Sequence, residues 1–566
     1  MSSTPRYSLG LDYGTGSVRA LVVDIADGRE VASSVVPYPH GEDGIVSSER
    51  DPHVARQHPT DYSESLERAV TEAMSSARRD AEFARAESSG VAIIGIGVDA
   101  TASTPIPVDA NVRPLVEHEQ FQNDESALAW LWKDHSAHEE ADEITSALKS
   151  SKPEQLERSG GACSSEWLIP KLLRCLRVAP ELVAAADDWI ELGDYVVAFL
   201  GGIETCAEIP RNACAAGHKG LYHETLGGPP LDVLASISPE LSSWLETRLP
   251  KSVVPAGTCA ANLGAEWARR LGLPEGIPIS AAAIDAHVGA VGAGIRPRTL
   301  VKILGTSSCD MLVHPHSASE ALGEIPGLNG SVLGSILPGH WGLEAGQAAF
   351  GDLYAWFVRE FERDHGTLTD EASALVPGAS GLLSLDWNNG NRCLLGDPLL
   401  SGLLVGQTLR TTPAEVYRAL IEATAFGGRM IVDRLAEHGI PVDDILCCGG
   451  IAGKNDLLLQ IHADVLGRPL RRTLSEQTVA VGAAMFGAVA AGEAGGGYSD
   501  IASAQAAMAP PCSEERFEPN ADSARTYAEL CALYSDLHDA FGGVGEPKPL
   551  AHVMKRLLEI QARARS

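Results

Sequence analysis

The run "SLGLDYGTGSVRALVVDI", Ser8 to Ile25, joins two strand-like segments through a turn of glycine, threonine and serine, and the chain repeats this device in "LVKILGTSSCDMLV", Leu300 to Val313. One copy in each half is better explained by two domains built on one plan than by a single large sheet. At 566 residues the chain is also too long for one hydrophobic core. We therefore expect two α/β domains, residues 1–294 and 295–566, meeting near Gly294 to Thr299 in the segment "GAGIRPRT".

Within the first half, Tyr7, Leu9 and Leu11 alternate with Ser8, Gly10 and Asp12, a period-two pattern that puts Asp12 on the less apolar face of a strand. Two further apolar runs also finish in an acid: "VAIIGIGVD" at Asp99 and "IPISAAAIDAHVGA" at Asp285. Tyr62, Leu66, Val70 and Met74 stand four apart on one helical face, with Asp61 and Glu64 spaced like a capping box at its start. In the second half, Thr412, Pro413 and Glu415 open a long helix that Gly439 stops. The strand "DDILCCGG", the helix "KNDLLLQIHADVLG", the strand "RPLRRTL" and the small-residue helix "VAVGAAMFGAVAAG" follow.

Charge excludes some functions. A formal charge of −31 repels nucleic acid and anionic membrane, so neither is expected as a partner. An anionic substrate would need a metal ion or local positive charge. The eleven cysteines form no CxxC pair and read as reduced core thiols. No signal-peptide pattern opens the chain and no apolar run approaches the roughly 20 residues of a membrane span, so a cytoplasmic protein is expected. His218, His287 and His340 have no i, i+4 histidine partner and read as hydrogen-bonded residues rather than metal ligands. Trp130 and Trp132 read as core or lid aromatics, and the basic clusters "RPLRRT" and "KRLLEIQARARS" as solvated faces.

A glycine turn between strands is, by itself, a hairpin. This one lacks the lysine of GxxxxGK[ST], and a strand follows where a dinucleotide fingerprint needs a helix. Occurring twice, however, two such hairpins facing each other across a cleft would offer backbone N–H groups to one triphosphate. The carboxylate ending the first strand suits a phosphate accompanied by a metal ion.

The set "LDYGTGSVRALVVD", "GVDATASTPIPVD", "LGTSSCDM", "GLEAGQAAFGD", "DWNNGNR" and "CCGGIAGKNDLLLQIHADVLGRP" resembles the FGGY carbohydrate kinases, in the family's order from about Tyr7 to Gly487. "LWKDHSAHEEA", "SSEWLIPK" and "CAAGHKGL" are similar to members that act on a ketopentose. The resemblance implies two ribonuclease H-like (actin-like ATPase) domains with an interdomain cleft, and transfer of the γ-phosphoryl group of ATP, with Mg²⁺, to a terminal sugar hydroxyl. It implies a metal-side role for Asp12 and places Gly14, Thr15, Gly16 and Ser17 beside the phosphates. Gly305, Thr306 and Ser307 would hold the β- and γ-phosphates, and Gly449, Gly450 and Asn455 the adenosine. Asp285 would take the proton from the attacking hydroxyl. Lys219, Glu344 and Gln347 would bind sugar hydroxyls along with Asp285, and Ala102 would line the pocket through its backbone.

An ordinary aspartate, with a reference pKa of about 3.9, is base enough if the nucleophile loses its proton late in a loose transition state. Each assignment has a plain structural counterpart: a turn-capping Asp12, an Asp285 accepting N–H bonds at a helix start, a surface Lys219, a solvent-facing Glu344. The alternative functions are a kinase for another ketopentose or polyol such as D-ribulose or xylulose, an actin-like or chaperone-type ATPase, and a sugar sensor without catalysis. A homodimer is the common assembly for such a chain. The segment around residues 117–127 and the helical tail beyond Pro510 receive no role from the sequence.

Overall fold

The computed structural model describes residues 5–565 except 91, 225, 250, 251, 318–321 and 324. The first hairpin, β1 (Tyr7–Tyr13) and β2 (Ser17–Asp24), is antiparallel and continues into β3 (Glu30–Pro37). After helix α1 (Pro59–Ala77), strand β4 (Ile93–Ala100) returns parallel to β1 and pairs Asp99 with Asp12. Strands β5 (Cys259–Asn262), β6 (Pro278–Ser280) and β7 (Ala283–Ile284) complete the sheet in the order β5-β6-β4-β1-β2-β3, with β7 also on β4.

The second half repeats this plan. Strands β8 (Thr299–Leu304) and β9 (Ser308–Pro315) form the second hairpin, β10 (Gly330–Leu333) and β11 (His340–Gln347) extend its antiparallel side, and β12 (Asp444–Cys448) and β13 (Leu470–Arg472) its parallel side. The order is β10-β11-β9-β8-β12-β13. In both sheets, then, an antiparallel meander lies on one side of the opening strand and a strand parallel to it on the other, with β5 added antiparallel at the edge of the first sheet, which is the duplication expected from the two hairpins. Smaller helices and short strands between β4 and β5 build an added lobe around a core that includes Trp130, Leu172 and Leu245.

The first sheet is more deeply buried than alternation alone suggests. Ser8 and Gly10, on the face read as less apolar, are covered as fully as Leu9. What covers them is a helix from the other half of the chain, Thr478–Gly495, whose backbone lies directly on the strands. A Cβ at Gly10 would overlap the Ala480 carbonyl oxygen, and one at Gly97 the Ala483 carbonyl oxygen. This helix, together with Asp285–Gly292, fills a core that takes Leu21 and Val23 from the first sheet and Val301, Met311 and Leu446 from the second. Among the described residues it is the one helix long and apolar enough to cross a membrane, and here its apolar face is spent between the two sheets.

The helix expectations hold with one change at a cap. Tyr62, Leu66, Val70 and Met74 are all buried on α1, but the helix starts at Pro59 with His58 at the N-cap; Asp61 pairs instead with His40, 2.5 Å away. Thr412 and Glu415 form a complete capping box on the helix Pro413–Glu437. The tail helices Ala521–Gly542 and Val553–Arg565 pack Tyr527, Tyr534, Leu557 and Ile560 into the second domain's core, so they serve as its outer layer. The basic clusters are occupied by acids of the same chain: Arg472 pairs with Asp456 and Glu515, and Arg556 with Glu529. All eleven cysteines are free thiols, most of them buried.

Candidate active site

Three strand ends of the first sheet bring three acids together. Asp12 ends β1, Asp99 lies beside it on β4, and Asp285 follows β7 as the first residue of its helix. Among the described residues, Asp12 pairs with the cation Arg19, at 3.3 Å across the hairpin. Burial pushes its carboxyl up, and Arg19 opposes that shift. Asp99 is fully buried, and neither carboxylate oxygen has a hydrogen-bond partner among the described residues. Burial, followed by Asp12 and Asp285, raises its pKa well above the usual range.

Asp285 accepts a 2.6 Å bond from the N–H of Ala286. Burial pushes its pKa up to about 7, against that N–H bond, with Asp12 and Glu344 adding to the rise and Lys219 opposing it. The expectation of an ordinary weakly basic aspartate is therefore corrected, because the sequence did not reveal the neighbouring acids. The Asp99 and Asp12 carboxyls side by side are an all-oxygen donor set of the kind that holds Mg²⁺, and a cation there would offset the repulsion that raises the Asp99 pKa. These residues fit that ion.

Two residues expected on the sugar side, Lys219 and Glu344, meet from the two halves of the chain. Helix Ala213–Lys219, capped by Asn212, carries Lys219, and β11 carries Glu344; Lys219 Nζ lies 3.2 and 3.3 Å from the two Glu344 oxygens. Both side chains are buried. Burial alone would raise the Glu344 pKa, but the Lys219 ammonium, with His287, His218 and Arg392, holds it below the usual carboxylate range. The pair joins the two halves of the chain beside Asp285. Ala102 lies in the turn after β4, which is braced by Thr101 donating to the Tyr13 carbonyl, Ser103 to Glu191, and buried Lys171 to the Ser103 carbonyl.

Gln347 is placed otherwise than expected. Its amide nitrogen donates to Asp386 at 2.5 Å and to the Thr424 carbonyl at 2.9 Å, and its amide oxygen accepts from Ser308 at 3.4 Å. The amide is used up inside the second domain, where it ties β11 to the long helix, so it acts as a brace instead of a sugar contact.

The two glycine turns bear different chemistry. The position two before the turn glycine is Asp12 in the first and Ile303 in the second. Gly14 donates to the Ser17 carbonyl and Gly305 to that of Ser307. Gly16 sits on the turn between them, and the Thr15 hydroxyl accepts from Trp132 Nε1 at 3.0 Å. Trp132, read from the sequence as a core or lid aromatic, thus props the first turn. Thr306 accepts from the N–H groups of Phe350 and Asp352, which fastens the second turn to the helix Gly351–Glu360. Gly449 has φ +93, and a Cβ there would lie 2.5 Å from the Leu304 carbonyl oxygen; Gly450 follows in open space. Asn455 uses its side-chain oxygen to cap the helix Asp456–Leu466.

Asp99 and His287 lie among these residues although the sequence alone assigned neither a site role. The signal for Asp99 was available, since it ends one of the three acid-terminated runs. His287 was read as hydrogen-bonded, yet neither ring nitrogen has a hydrogen-bond partner among the described residues.

Residues 7–292 match the N-terminal domain, and residues 300–491 the C-terminal domain, of the FGGY family of carbohydrate kinases. A ribulokinase from Geobacillus thermodenitrificans (strain NG80-2) is 40% identical over 582 residues, covering 99% of this chain and 98% of its own. A ribulokinase from Mycolicibacterium smegmatis is 38% identical, with 95% and 94% covered. Among solved structures, a xylulose kinase from Rhodospirillum rubrum superposes with a TM-score of 0.74 at 23% identity, covering 95% of this chain and 100% of that one. Glycerol kinase from Plasmodium falciparum, solved with ADP, gives 0.73 at 15%, covering 94% and 98%. At these identities the solved structures speak for the fold alone. With both domain profiles matched in order and the relatives aligned over nearly their full length, the chain belongs to the FGGY family of carbohydrate kinases.

Proposed function

We propose that this chain transfers the γ-phosphoryl group of ATP to the terminal hydroxyl of L-ribulose, giving L-ribulose 5-phosphate in L-arabinose degradation. The observation that carries the reading is Asp285: a carboxylate with pKa near 7, set between the Asp12–Asp99 pair and the interdomain Lys219–Glu344 pair. Phosphoryl transfer depends chiefly on alignment and charge stabilisation, so a base fixed at a helix start beside the sugar contacts is suited to it. Its raised pKa, near neutral pH, makes it a better proton acceptor than an ordinary aspartate. Asp12 and Asp99 would hold Mg²⁺, which when bound supplies the positive charge that lets a triphosphate enter a cluster of acids. Gly14 to Ser17 and Gly305 to Ser307 would border the phosphates from the two halves, and Gly449, Gly450 and Asn455 the nucleoside.

Lys219 and Glu344 would orient the ketose by charge-assisted hydrogen bonds. Because these residues come from opposite halves, sugar binding favours the closed arrangement and excludes water from the phosphoryl group. The ribulokinase relatives support the ketopentose, and the free thiols of the chain accord with a reducing cytoplasm. The test is ADP release and product mass with ATP, Mg²⁺ and each of L-ribulose, D-ribulose, L-xylulose and D-xylulose. Fastest turnover with L-ribulose is expected. A clear preference for another ketose moves the substrate, and ATP turnover indifferent to all four removes the proposal.

A further inference from the structure

Behind the sugar contacts lies a buried cluster that the kinase reaction does not use. Cys214 and His218 stand at i and i+4 on one face of the helix Ala213–Lys219, and His287 comes from the helix after β7. All three are 1% exposed, and the sulfur and one ring nitrogen of each histidine lie within 4.8 Å of one another. Glu344 lies against the two histidines: its Oε2 is 3.6 Å from His218 Nδ1 and 3.7 Å from His287 Nε2.

The hydrogen bonding around the cluster leaves lone pairs facing inward. Ser335 Oγ donates to the Val332 carbonyl at 3.1 Å, so it accepts from His218 Nε2–H at 3.0 Å. A neutral His218 then turns its Nδ1 lone pair toward the Glu344 carboxylate, acceptor against acceptor, and that nitrogen is unpartnered among the described residues. The same is true of both nitrogens of His287. A ring N–H held by an outer hydroxyl, with the other nitrogen directed at a shared centre, is the arrangement of a metal-ligating histidine. Zinc bound at about 2.0–2.1 Å to nitrogen or oxygen needs donors roughly 3.3–3.4 Å apart. The two histidine–Glu344 spacings therefore require a shift of only a few tenths of an ångström, while the Cys214 sulfur, within 4.8 Å of the ring nitrogens, has further to move.

We propose that Cys214, His218, His287 and Glu344 form a tetrahedral site for Zn²⁺, separate from the Mg²⁺ position at Asp12 and Asp99. Sulfur and imidazole donors select zinc over magnesium. Binding deprotonates the Cys214 thiol, and the proton leaves to solvent; the thiolate and the Glu344 carboxylate then balance the two charges of the ion. Zn²⁺ takes Glu344 away from Lys219 and from the ketose, so metal and sugar exclude each other. That consequence rests on Glu344 being a sugar contact, whereas the site itself rests on the four donors.

The full chain, freed of metal with a chelator, is titrated with Zn²⁺ against a chromophoric chelator and separately with Co²⁺. One Zn²⁺ per chain is expected, and Co²⁺ should produce a thiolate-to-metal charge-transfer band that Cys214→Ser lacks. Cys214→Ser should keep its turnover in metal-free buffer containing Mg²⁺ alone, and should need at least about 100-fold more Zn²⁺ for inhibition. In the wild type, Zn²⁺ should raise the apparent KM for the ketose. No charge-transfer band in the wild type, or Zn²⁺ affinity unchanged in both Cys214→Ser and His287→Gln, overturns the site. Inhibition that competes with ATP and persists in Cys214→Ser also overturns it. A cobalt band without competition against sugar upholds the metal site and instead removes Glu344 from the sugar contacts.

Discussion

Replacing Asp285 by asparagine should sharply lower turnover and at the same time stabilise the fold, with an advantage that grows as pH rises. The folded pKa of this carboxyl, about 7, stands above its ordinary value of 3.8. A raised acid pKa means the folded state prefers the protonated form. Its stability is fully present below the unfolded pKa near 3.8, falls as pH rises through that window, and levels off above about 7. A shift of about three units corresponds to about 4 kcal/mol at most, and to about 2–4 kcal/mol once the carboxyl's partial contact with the cleft is allowed for.

Asparagine keeps the shape and removes the charge. Urea unfolding of the nucleotide-free protein at pH 5.5 and 8.5 should show Asp285→Asn as the more stable form, its advantage increasing by about 1–2 kcal/mol between the two. Turnover should fall by about 10²- to 10⁴-fold while ATP still binds. For the wild type, kcat/KM should climb with pH through about 7, since it reports the free enzyme's base. A variant no more stable than the wild type at pH 8.5, or a kcat/KM flat between pH 5.5 and 8.5, would refute the burial argument; near-normal turnover would refute the role.

Asp99→Asn should raise the Mg²⁺ concentration needed for half-maximal activity by about 10- to 100-fold and weaken Mn²⁺ binding measured by electron paramagnetic resonance; an unchanged Mn²⁺ affinity excludes Asp99 from the cation site. Lys219→Met leaves Glu344 buried without its cation and should lower unfolding stability by about 3–5 kcal/mol, while the double variant with Glu344→Gln loses less than the two singles combined. Strict additivity in that cycle would show that the pair does not couple the halves. Gly97→Ala forces a methyl onto the Ala483 carbonyl and should destabilise by about 1–3 kcal/mol, visible as a lower urea midpoint; a neutral result would mean that the helix Thr478–Gly495 does not rest on the sheet.

Much of the fold was legible in local pattern. The paired hairpins, the capping box at Thr412 and the acid-terminated runs depend on residue type and short spacing, which set backbone conformation within a few residues. What local pattern cannot convey is which segment covers a face. The alternation in β1 marked Ser8 and Gly10 as less apolar, but their burial is decided by a helix more than 460 positions away, admitted only because glycine leaves room for its backbone. Gln347 stands in a motif and still faces the wrong way, because the orientation of a side chain is set by Asp386 and Thr424, which lie far from it in sequence.

The sequence by itself determined the doubled plan, the family and the residues able to carry the chemistry, since these reside in composition and order along the chain. The tertiary structure alone decided the proton affinity of Asp285, the burial of Asp99 beside Asp12, the bond between Lys219 and Glu344, and the meeting of Cys214, His218 and His287. Each of these depends on how much water is removed and which charges converge, and electrostatic energy varies with distance in space and not with distance along the backbone.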